Sequence, residues 1–224
     1  MLNRTGIDDL NISSNGQSIA RTNSHKFLGV LLDDKLKFNE HLDKLCSKMA
    51  QSIGVMRRVS HLVPTKILKN LYYTMIYSRF TYAITTWGSA FPSTLRRLES
   101  LVKKAITMVT THTNINQAQP DYTFTEFQGV YDYFVLCKMF KIVRENKHHH
   151  FTRKISNQVI AHDHETRSNV DNQLVLPRYS KTKCQNSFTF RGVKLWNTTH
   201  TSIRQLPNLR TFQKRLKCGS YRNN

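Results

Sequence analysis

Short apolar runs separated by turn-forming residues mark the N-terminal part of the chain. The Ser13–Gly16 segment is a turn signal, and the apolar pattern resumes at Ser18–Ala20. A second apolar run, Lys26–Leu32, ends at the acidic pair Asp33–Asp34. Runs of this length bounded by Ser, Asn, Gly and Asp are typical of strands joined by tight turns. We therefore predict a β-hairpin followed by a buried strand over residues 1–38.

The hydrophobic period changes to that of a helix from Phe38 onwards. Apolar residues recur there at spacings of three and four, which places them on one face of a helix, and Asn39 is a suitable N-cap. The apolar face consists of Leu42, Leu45, Met49, Ile53 and Met56, and the opposite face carries Lys44, Lys48, Gln51 and Arg58. This first helix is predicted to pack on one side and to be basic on the other.

Three more helices are predicted from the same period. Pro64 opens the second helix as its first residue, and the aromatic stretch Phe80–Trp87 that follows ends at Gly88. The third helix starts at Pro92–Ser93, and the fourth spans about Glu126–Glu145. In the third helix the apolar stripe is Leu95, Leu98, Val102, Ala105 and Val109, and the outward side carries Arg96, Arg97, Lys103 and Lys104.

The apolar period weakens in the C-terminal part of the chain. Residues 148–186 are predicted to be an extended, partly disordered connection, and Phe188–Gly192 is predicted to be a short strand. The remaining apolar residues predict small helices packed around Trp196. The predicted fold class is mainly α, with a short N-terminal β-hairpin and strand, a helical bundle, and a loosely ordered basic C-terminal region. The predicted boundaries are 1–38, 39–112, 113–147 (a linker and an aromatic helix) and 148–224.

The charge of the chain is strongly positive and unevenly distributed. Its 224 residues include 34 Lys and Arg against 14 Asp and Glu, which gives a net charge of +20. Two blocks, 44–98 and 172–224, contain no carboxylate side chain. Segregated positive charge creates a local potential that can neutralise phosphates, although a solvated cationic surface is the alternative interpretation. Nucleic acid is therefore the expected partner.

Other classes of protein are disfavoured by the sequence. No run of about 18 apolar residues is present to span a bilayer, and the polar N-terminus lacks the pattern of a signal peptide. We expect an intracellular protein, in the nucleus, the cytoplasm or both, with no membrane partner. Free thiols are expected rather than disulfides. The cysteines are Cys46, Cys137, Cys184 and Cys218.

Several short segments, in a shared order, resemble the reverse transcriptases of non-LTR (LINE-like) retrotransposons. Lys26–Val30, Leu36–Leu42 and Tyr82–Gly88 are similar to the region just after the catalytic palm. Thr166–Ser168 and Phe188–Asn197 are similar to the C-terminal tail of jockey-like and CR1-like members of the family. The resemblance covers nearly the whole chain and rests on the order and spacing of these segments.

The resemblance implies that this chain is one part of an RNA-directed DNA polymerase. In the family, the strand that corresponds to Phe27–Val30 lies at the primer grip, which seats the primer 3′ end, and the helices that follow form the thumb. A thumb clamps the template–primer duplex through its minor groove and backbone. Residues 1–38 then correspond to the end of the palm, and residues 39–112 to the thumb. The chain departs from the family at Ala83, where Gly is common, and at Thr199–His200, where a Leu-Pro pair is common.

No catalytic residue is assigned to this chain. Polymerases of this type hold two metal ions with palm carboxylates, and Asp33–Asp34 superficially offers such a pair. Fewer than 33 residues precede Asp33, too few to build the fingers and the strand with the remote Asp. Both residues are predicted to lie in a turn before the first helix. We therefore expect no polymerisation by this chain alone and no cofactor in it, since Mg²⁺ is expected only in the missing palm.

Metal-binding and base-stacking sites are not predicted. His148–His150 and His162–Glu165 contain possible metal ligands, but no Cys lies at zinc-finger spacing from them. We interpret both segments as surface polar residues. Trp87 and Trp196 lie among Leu and Ile, which is typical of core tryptophans rather than of exposed stacking platforms.

Charge and resemblance together predict sequence-independent binding of RNA and of RNA–DNA or DNA duplexes, with the missing fingers and palm as the protein partner. The alternatives are a standalone basic nucleic-acid-binding or interaction protein and an inert transposon remnant. The candidate nucleic-acid-binding residues are Lys26, Phe27, Leu28, Gly29, Lys44, Lys48, Arg58, Arg96, Arg97, Lys103, Lys104, Arg191, Lys194, Lys214, Arg215 and Lys217.

Overall fold

A computed structural model of the chain describes residues 12–111, 126–145, 155 and 173–217. The described residues form two short β-hairpins followed by helices, so the predicted mainly α class is confirmed. The predicted linker after residue 111 and most of the predicted 148–186 connection lie outside the described residues.

The two hairpins lie at the start of the described chain. The run Lys26–Leu32 was predicted as a single buried strand, but a turn at Leu28–Gly29 divides it into two paired strands, of which the first is exposed. Strands β1 (Ser13–Ser14) and β2 (Gln17–Ser18) pair antiparallel, as do β3 (Ser24–Phe27) and β4 (Val30–Asp33). In each hairpin two residues with positive φ connect the strands: Asn15 and Gly16 at 50° and 78°, and Leu28 and Gly29 at 44° and 83°. Positive φ at both central residues is the type I′ geometry, whose twist matches that of the strands.

Residues 39–111 contain the three predicted helices and two short helices that were not predicted, and Pro64 is the N-cap of the second helix rather than its first residue. The helices are α1 (Asn39–Val59), α2 (Thr65–Tyr72), α3 (Ser78–Thr81), α4 (Ile84–Trp87) and α5 (Pro92–Thr111), and a π-helical turn, Tyr73–Tyr77, joins α2 to α3. Every apolar residue predicted for the stripes of α1 and α5 is buried. Their predicted basic residues are all exposed. These outcomes confirm the predicted faces of both helices.

The start of α1 differs from the prediction. Asn39 is the first helical residue rather than the N-cap, and Phe38 before it has a left-handed φ of 59°. The carboxylate of Asp33 fixes this entry, because it accepts hydrogen bonds from the backbone N–H groups of Lys37 (2.9 Å) and Phe38 (2.7 Å). The predicted turn role of Asp33 is thereby confirmed. These two donors precede the first helical turn, and α1 has no side-chain hydrogen bond at its N-cap.

Helix α6 (Phe127–Val143) is the centre of the packing. It is buried on most of its circumference because α4, α5 and the C-terminal helices all pack against it. The segment after α4 approaches α6 closely at Gly88. A Cβ added at Gly88 would lie 2.6 Å from two atoms of the Tyr131 ring. The aromatic composition of this helix follows from that position, since large side chains fill space on all sides.

The C-terminal described residues are more helical than predicted. Helices α7 (Thr182–Gln185), α8 (Phe188–Thr198), α9 (Thr201–Arg204) and α10 (Leu209–Lys217) succeed one another. The prediction of a strand at Phe188–Gly192 is wrong. The Ser187 side chain caps α8 by accepting from the Phe190 N–H at 3.4 Å, and the apolar side of α8 packs on α6. The segment Phe188–Gly192 is therefore the start of a longer amphipathic helix rather than a strand.

One cluster of buried residues extends from Val30 to Leu216 and joins the hairpin, the first five helices and the C-terminal helices. Trp87 and Trp196 are both buried in it, which confirms their predicted core role. Trp196 lies 6.1 Å from Phe212 between ring centroids, as expected for small helices packed around a tryptophan. Packing therefore links the ranges that were predicted as separate domains.

Ala83, the residue before α4, has a φ of 51°. A non-glycine residue in the left-handed region is strained by contact of its Cβ with the backbone. Ala83→Gly is therefore expected to raise the free energy of unfolding by about 1 kcal/mol, measured by urea denaturation. Ala50→Gly, at an exposed position inside α1, is the matched control and should lower it by about 1 kcal/mol. A loss of stability in both variants contradicts the strain at Ala83.

Candidate nucleic-acid interface

The β3–β4 hairpin, α1 and α3 enclose a groove of about 640 Å³, called here the hairpin groove. It contains four of the candidate residues, together with side chains that were not among them. The candidates are Lys26, Gly29, Lys44 and Lys48, and the additional polar residues are His41, Gln51, Ser78, Arg79 and Tyr82. No acidic side chain is among the described residues that line it.

Tyr82 fixes the hairpin turn at the edge of this groove. Its hydroxyl donates to the backbone carbonyl oxygen of Leu28 at 2.6 Å. Its ring covers Gly29, where an added Cβ would lie 3.4 Å from the ring. Phe27 and Leu28 remain exposed on the turn, Leu28 to 75%. The turn is thus held in one position while its apolar tip stays accessible.

Arg79 forms the wall of the groove opposite the hairpin. Its Nη1 atom donates to the carbonyl oxygen of Lys48 at 3.0 Å and to the Ser52 hydroxyl at 2.7 Å. An arginine has five N–H donors in a planar fork, so a guanidinium fixed by one nitrogen can still bind a phosphate with the others. The Arg79 side chain therefore lies against α1 with a defined orientation, beside Lys48.

His41 lies at the floor of the groove and is neutral in this arrangement. Its Nδ1 atom accepts from the Leu31 N–H at 3.4 Å, and its ring is 5.8 Å from that of Trp87. Burial lowers the pKa of the His41 imidazole, and the nearby Lys48 ammonium lowers it further. A proton on Nδ1 would remove the acceptor for Leu31 and place a second cation beside Lys48.

Acidification is expected to destabilise the protein through His41. Its pKa in the folded state lies below the usual 6.5, so between these two values the unfolded chain binds more protons. The free energy of unfolding therefore falls as the pH drops from about 6.5 through the folded-state pKa. Urea denaturation at about pH 7.5 and about pH 5.5 measures the loss. His41→Gln, which keeps an acceptor but does not titrate, should lose less stability than the wild type over this range.

The control for this experiment is His25→Gln, at an exposed position on β3. This variant should show the same dependence on pH as the wild type. Identical losses in His41→Gln and in the wild type would show that His41 does not contribute to the acid sensitivity.

Helix α1 carries its exposed basic side chains between two grooves. The outward residues Lys44, Lys48, Gln51 and Arg58 form the α1 ridge. One edge of α1 faces α3, because Arg79 reaches Ser52. The other edge faces α5, because Arg97 contacts the Asp43 carboxylate at 3.5 Å. The ridge therefore separates the hairpin groove from the surface of α5.

A second groove, the α5 groove, lies between the C-terminal half of α1 and α5 and measures about 650 Å³. Its basic residues are Arg57, Lys103 and Lys104, and its other polar residues are hydroxyl-bearing. Towards the N-terminal half of α5, Arg96 and Lys103 line a smaller cavity of about 380 Å³ that also contains Glu99 and Glu126. The two carboxylates offset the positive charge there, so the α5 groove is the better phosphate site.

Two candidate residues pair with exposed carboxylates. Lys44 donates to Glu40 at 2.7 Å, and this hydrogen bond is the main reason why the pKa of the Glu40 carboxyl is lowered. Arg97 contacts Asp43. Exposed pairs of this kind contribute little to stability, because water and salt screen them. A phosphate can therefore replace either carboxylate at small cost.

The C-terminal candidates divide into two groups. Arg191 donates from Nε and Nη2 to the same oxygen of Asp132, at 2.9 and 2.6 Å, so the structure places it in an internal ion pair between α8 and α6. Lys194, Lys214 and Arg215 are exposed on α8 and α10, and Lys217 lines a pocket beside α6.

The structure thus brings together the candidates of the hairpin groove and, separately, Lys103 and Lys104. Arg58 continues the α1 ridge. Sequence reasoning missed Arg79, Tyr82 and His41 as site residues. Arg79 lies in the block 44–98, which contains no carboxylate, and this was the one sequence signal for it. The contacts of Tyr82 and His41 could not be predicted, because they depend on how α3 and the hairpin pack against α1.

Metal ligands, free thiols and membrane-spanning segments are further features that bear on function. In the described parts of the chain no group of three or more His, Cys, Asp or Glu side chains is close enough to hold a metal ion. Cys46, Cys137 and Cys184 are free, and Cys218 lies outside the described residues, as do the two histidine-rich segments. Among the helices of the described ranges, none combines the length and apolar composition that crossing a bilayer requires.

The comparisons with known proteins add no relative: no family model, no curated protein and no solved structure matches this chain. The functional interpretation therefore rests on the grooves, their charge and the segments that resemble reverse transcriptases.

Proposed function

We propose that this chain is the thumb and C-terminal region of a non-LTR retrotransposon reverse transcriptase, and that it binds template–primer duplex without sequence preference. The fingers and palm of the parent polymerase would be its protein partner. The Mg²⁺ ions of the reaction belong with the carboxylates of that palm, and no residue of this chain is assigned to them.

The hairpin groove is the observation that carries the proposal. Lys26, Lys44, Lys48 and Arg79 line one concave surface without a carboxylate among its described lining residues. Lysine and arginine on a groove of this kind contact the phosphate backbone, which positions a duplex and carries no sequence information. The α1 ridge lies between this groove and the α5 groove. A duplex bound across α1 would therefore have basic side chains near its phosphates on both sides of the helix.

The hairpin turn supplies the second element of the proposal. The resemblance implies that the segment Phe27–Val30, which is the turn of the β3–β4 hairpin, seats the primer 3′ end. The exposed Phe27 and Leu28 side chains, on a turn held by Tyr82, are suited to pack against a terminal sugar or base. Basic residues of the α1 ridge would then hold the adjoining backbone. In this proposal the hairpin contacts the primer 3′ end, and α1 contacts the backbone of the duplex.

A second contact is proposed for the C-terminal helices. Lys194 is exposed on α8, and Lys214, Arg215 and Lys217 are exposed on α10; we propose that they act together as a basic patch. Arg191 is not part of this patch in the proposal, because its guanidinium is paired with Asp132. The patch would add phosphate contacts farther along a bound strand.

The test is a salt titration of binding to duplexes of random sequence. Neutralising about six phosphates predicts that log K falls against log salt with a slope of about −5. RNA–DNA and DNA duplexes of different sequence should show the same slope. Filter binding between about 0.05 and 0.2 M salt measures it. A slope near zero, or a strong preference for one base sequence, contradicts the proposal.

A further inference from the structure

We infer that a pocket between α6 and α10 binds the phosphate and base of a single nucleotide. The pocket, called here the lysine pocket, measures about 470 Å³. Its basic residues are Lys138, Lys141 and Lys217, and its aromatic wall includes Tyr77, Tyr133 and Phe134. None of these residues lines the hairpin groove or the α5 groove. Lys217 is shared with the C-terminal contact proposed above, whereas Lys138, Lys141 and the aromatic side chains have no role in the proposed duplex interface.

Three lysine side chains line this pocket. Lys138 and Lys141 lie one turn apart on α6, and Lys217 is on α10. The Cys137 thiol lies near Lys141 and Lys217. Burial raises the pKa of this thiol to about 11, while both Lys141 and Lys217 act to lower it. No Asp or Glu is among the described lining residues, so an anion is the ligand that this charge selects.

Lys138 is held at the mouth of the pocket by packing. Its Nζ atom lies 4.9 Å from the centroid of the Phe188 ring, the distance of a cation–π contact. Burial lowers the pKa of the Lys138 ammonium, because leaving water disfavours the charged form. A partly desolvated ammonium is bound more strongly by a phosphate than a fully hydrated one, because the surrounding dielectric is lower.

Aromatic side chains make the pocket suited to more than an inorganic anion. Tyr133 and Phe134 are packed edge to face with centroids 5.4 Å apart, and Tyr77 also lines the pocket. Gln213 and Thr85 add hydrogen-bonding groups. The volume falls within the range of about 300–1,000 Å³ typical of small-molecule sites. A nucleotide has groups that match both parts of the lining: its phosphates would contact the lysines, and its base would pack against the aromatic wall.

The experiment is isothermal titration calorimetry of the chain with ATP in about 0.15 M salt, where diffuse charge is screened. Lys138→Met and Lys141→Met, singly and together, should weaken ATP binding, the double variant by at least tenfold. Lys66→Met, an exposed lysine on α2, is the matched control and should bind as the wild type does. Lys141→Met is informative even if loss of the Phe188 contact destabilises Lys138→Met.

Further ligands separate the parts of the proposed site. Tripolyphosphate should bind at least tenfold more weakly than ATP, because it cannot use the aromatic wall, and adenosine should show no binding. A tripolyphosphate that binds as tightly as ATP overturns the assignment to a nucleotide. Unchanged ATP affinity in the Lys138 and Lys141 double variant overturns the location.

The nucleotide can come from a free pool or from the end of a strand, and the shared chemistry is a phosphate beside a base. The two sources are distinguished by competition against bound ATP, with AMP and a 5′-phosphorylated tetranucleotide as competitors. If AMP displaces ATP at the lower concentration, the site is assigned to free nucleotides. If the tetranucleotide does so, the site is assigned to strand ends, and either result supports the inference. Duplex binding is measured separately with variants of α1, so failure of one proposal leaves the other testable.

Discussion

Replacing Arg191 by methionine is expected to lower the free energy of unfolding by about 3 kcal/mol. The Asp132 side chain is 1% exposed, whereas that of Arg191 is 31% exposed. The guanidinium donates two hydrogen bonds to one Asp132 oxygen, and Gln128 donates a third at 3.1 Å. The variant leaves a buried carboxylate without its cationic partner, and this uncompensated charge is the main cost. Urea denaturation followed by circular dichroism measures the change.

Two further variants test whether the ion pair is the cause. Lys194→Met removes an exposed cation from the same helix and should change stability by no more than about 0.5 kcal/mol. The double variant Asp132→Asn with Arg191→Met should lose less stability than the sum of the losses of the two single variants, because the buried charge is also removed. A loss below about 0.5 kcal/mol for Arg191→Met contradicts this account of the α6–α8 contact.

The Arg191 variant also separates a structural from a binding role. Arg191 was a candidate nucleic-acid-binding residue because it is basic and lies in a segment that resembles the family tail. Under conditions where the variant remains folded, its duplex affinity and salt slope should equal those of the wild type. A slope reduced by about 1 would instead show that Arg191 leaves Asp132 to contact a phosphate.

Local periodicity was sufficient to predict the long helices and their faces. In α1 and α5 the apolar residues recur over about four turns, so one misplaced residue does not alter the inferred face. The exposed positions of Lys44, Lys48, Lys103 and Lys104 follow from the same period. By contrast, Phe188–Gly192 is too short to distinguish a strand from the first turn of α8. Only its burial against α6 decides between them.

The chemistry of individual side chains depends on partners far away in the sequence. Arg191 and Asp132 are 59 residues apart, and Arg79 and Ser52 are 27 apart. Tyr82 reaches the hairpin turn across 54 residues. Composition predicts that a basic surface exists, but it cannot show which cations are paired internally and which remain available for phosphates. For this reason the candidate list included Arg191 and missed Arg79.

Replacing both Lys44 and Lys48 by glutamine is expected to weaken duplex binding about tenfold and to change the salt slope from about −5 to about −3. Both lysines lie on the α1 ridge and line the hairpin groove. Each one lost removes a phosphate contact and the counterion release that accompanies it. Stability should change little, since both side chains are exposed and the Lys44–Glu40 pair is a surface pair. Filter binding to a random-sequence RNA–DNA duplex measures affinity and slope.

The matched control removes the same amount of charge elsewhere. Lys66 and Lys181 are exposed and lie outside the ridge and both grooves. Lys66→Gln with Lys181→Gln therefore reduces the net charge by the same two units as the α1 variant does. If binding depends on where the cations lie, this control should keep the wild-type affinity within about twofold and the slope within about 0.5.

Equal losses in the two double variants would mean that total charge, rather than the α1 surface, attracts the nucleic acid. The hairpin groove would then have no special role, and a standalone basic protein would account for the data as well as a polymerase thumb. A difference between the variants argues for a localised clamp, because long-range attraction at about 0.15 M salt is screened beyond about 8 Å. Only cations that touch the backbone can then change the slope, and those on α1 are the ones arranged to do so.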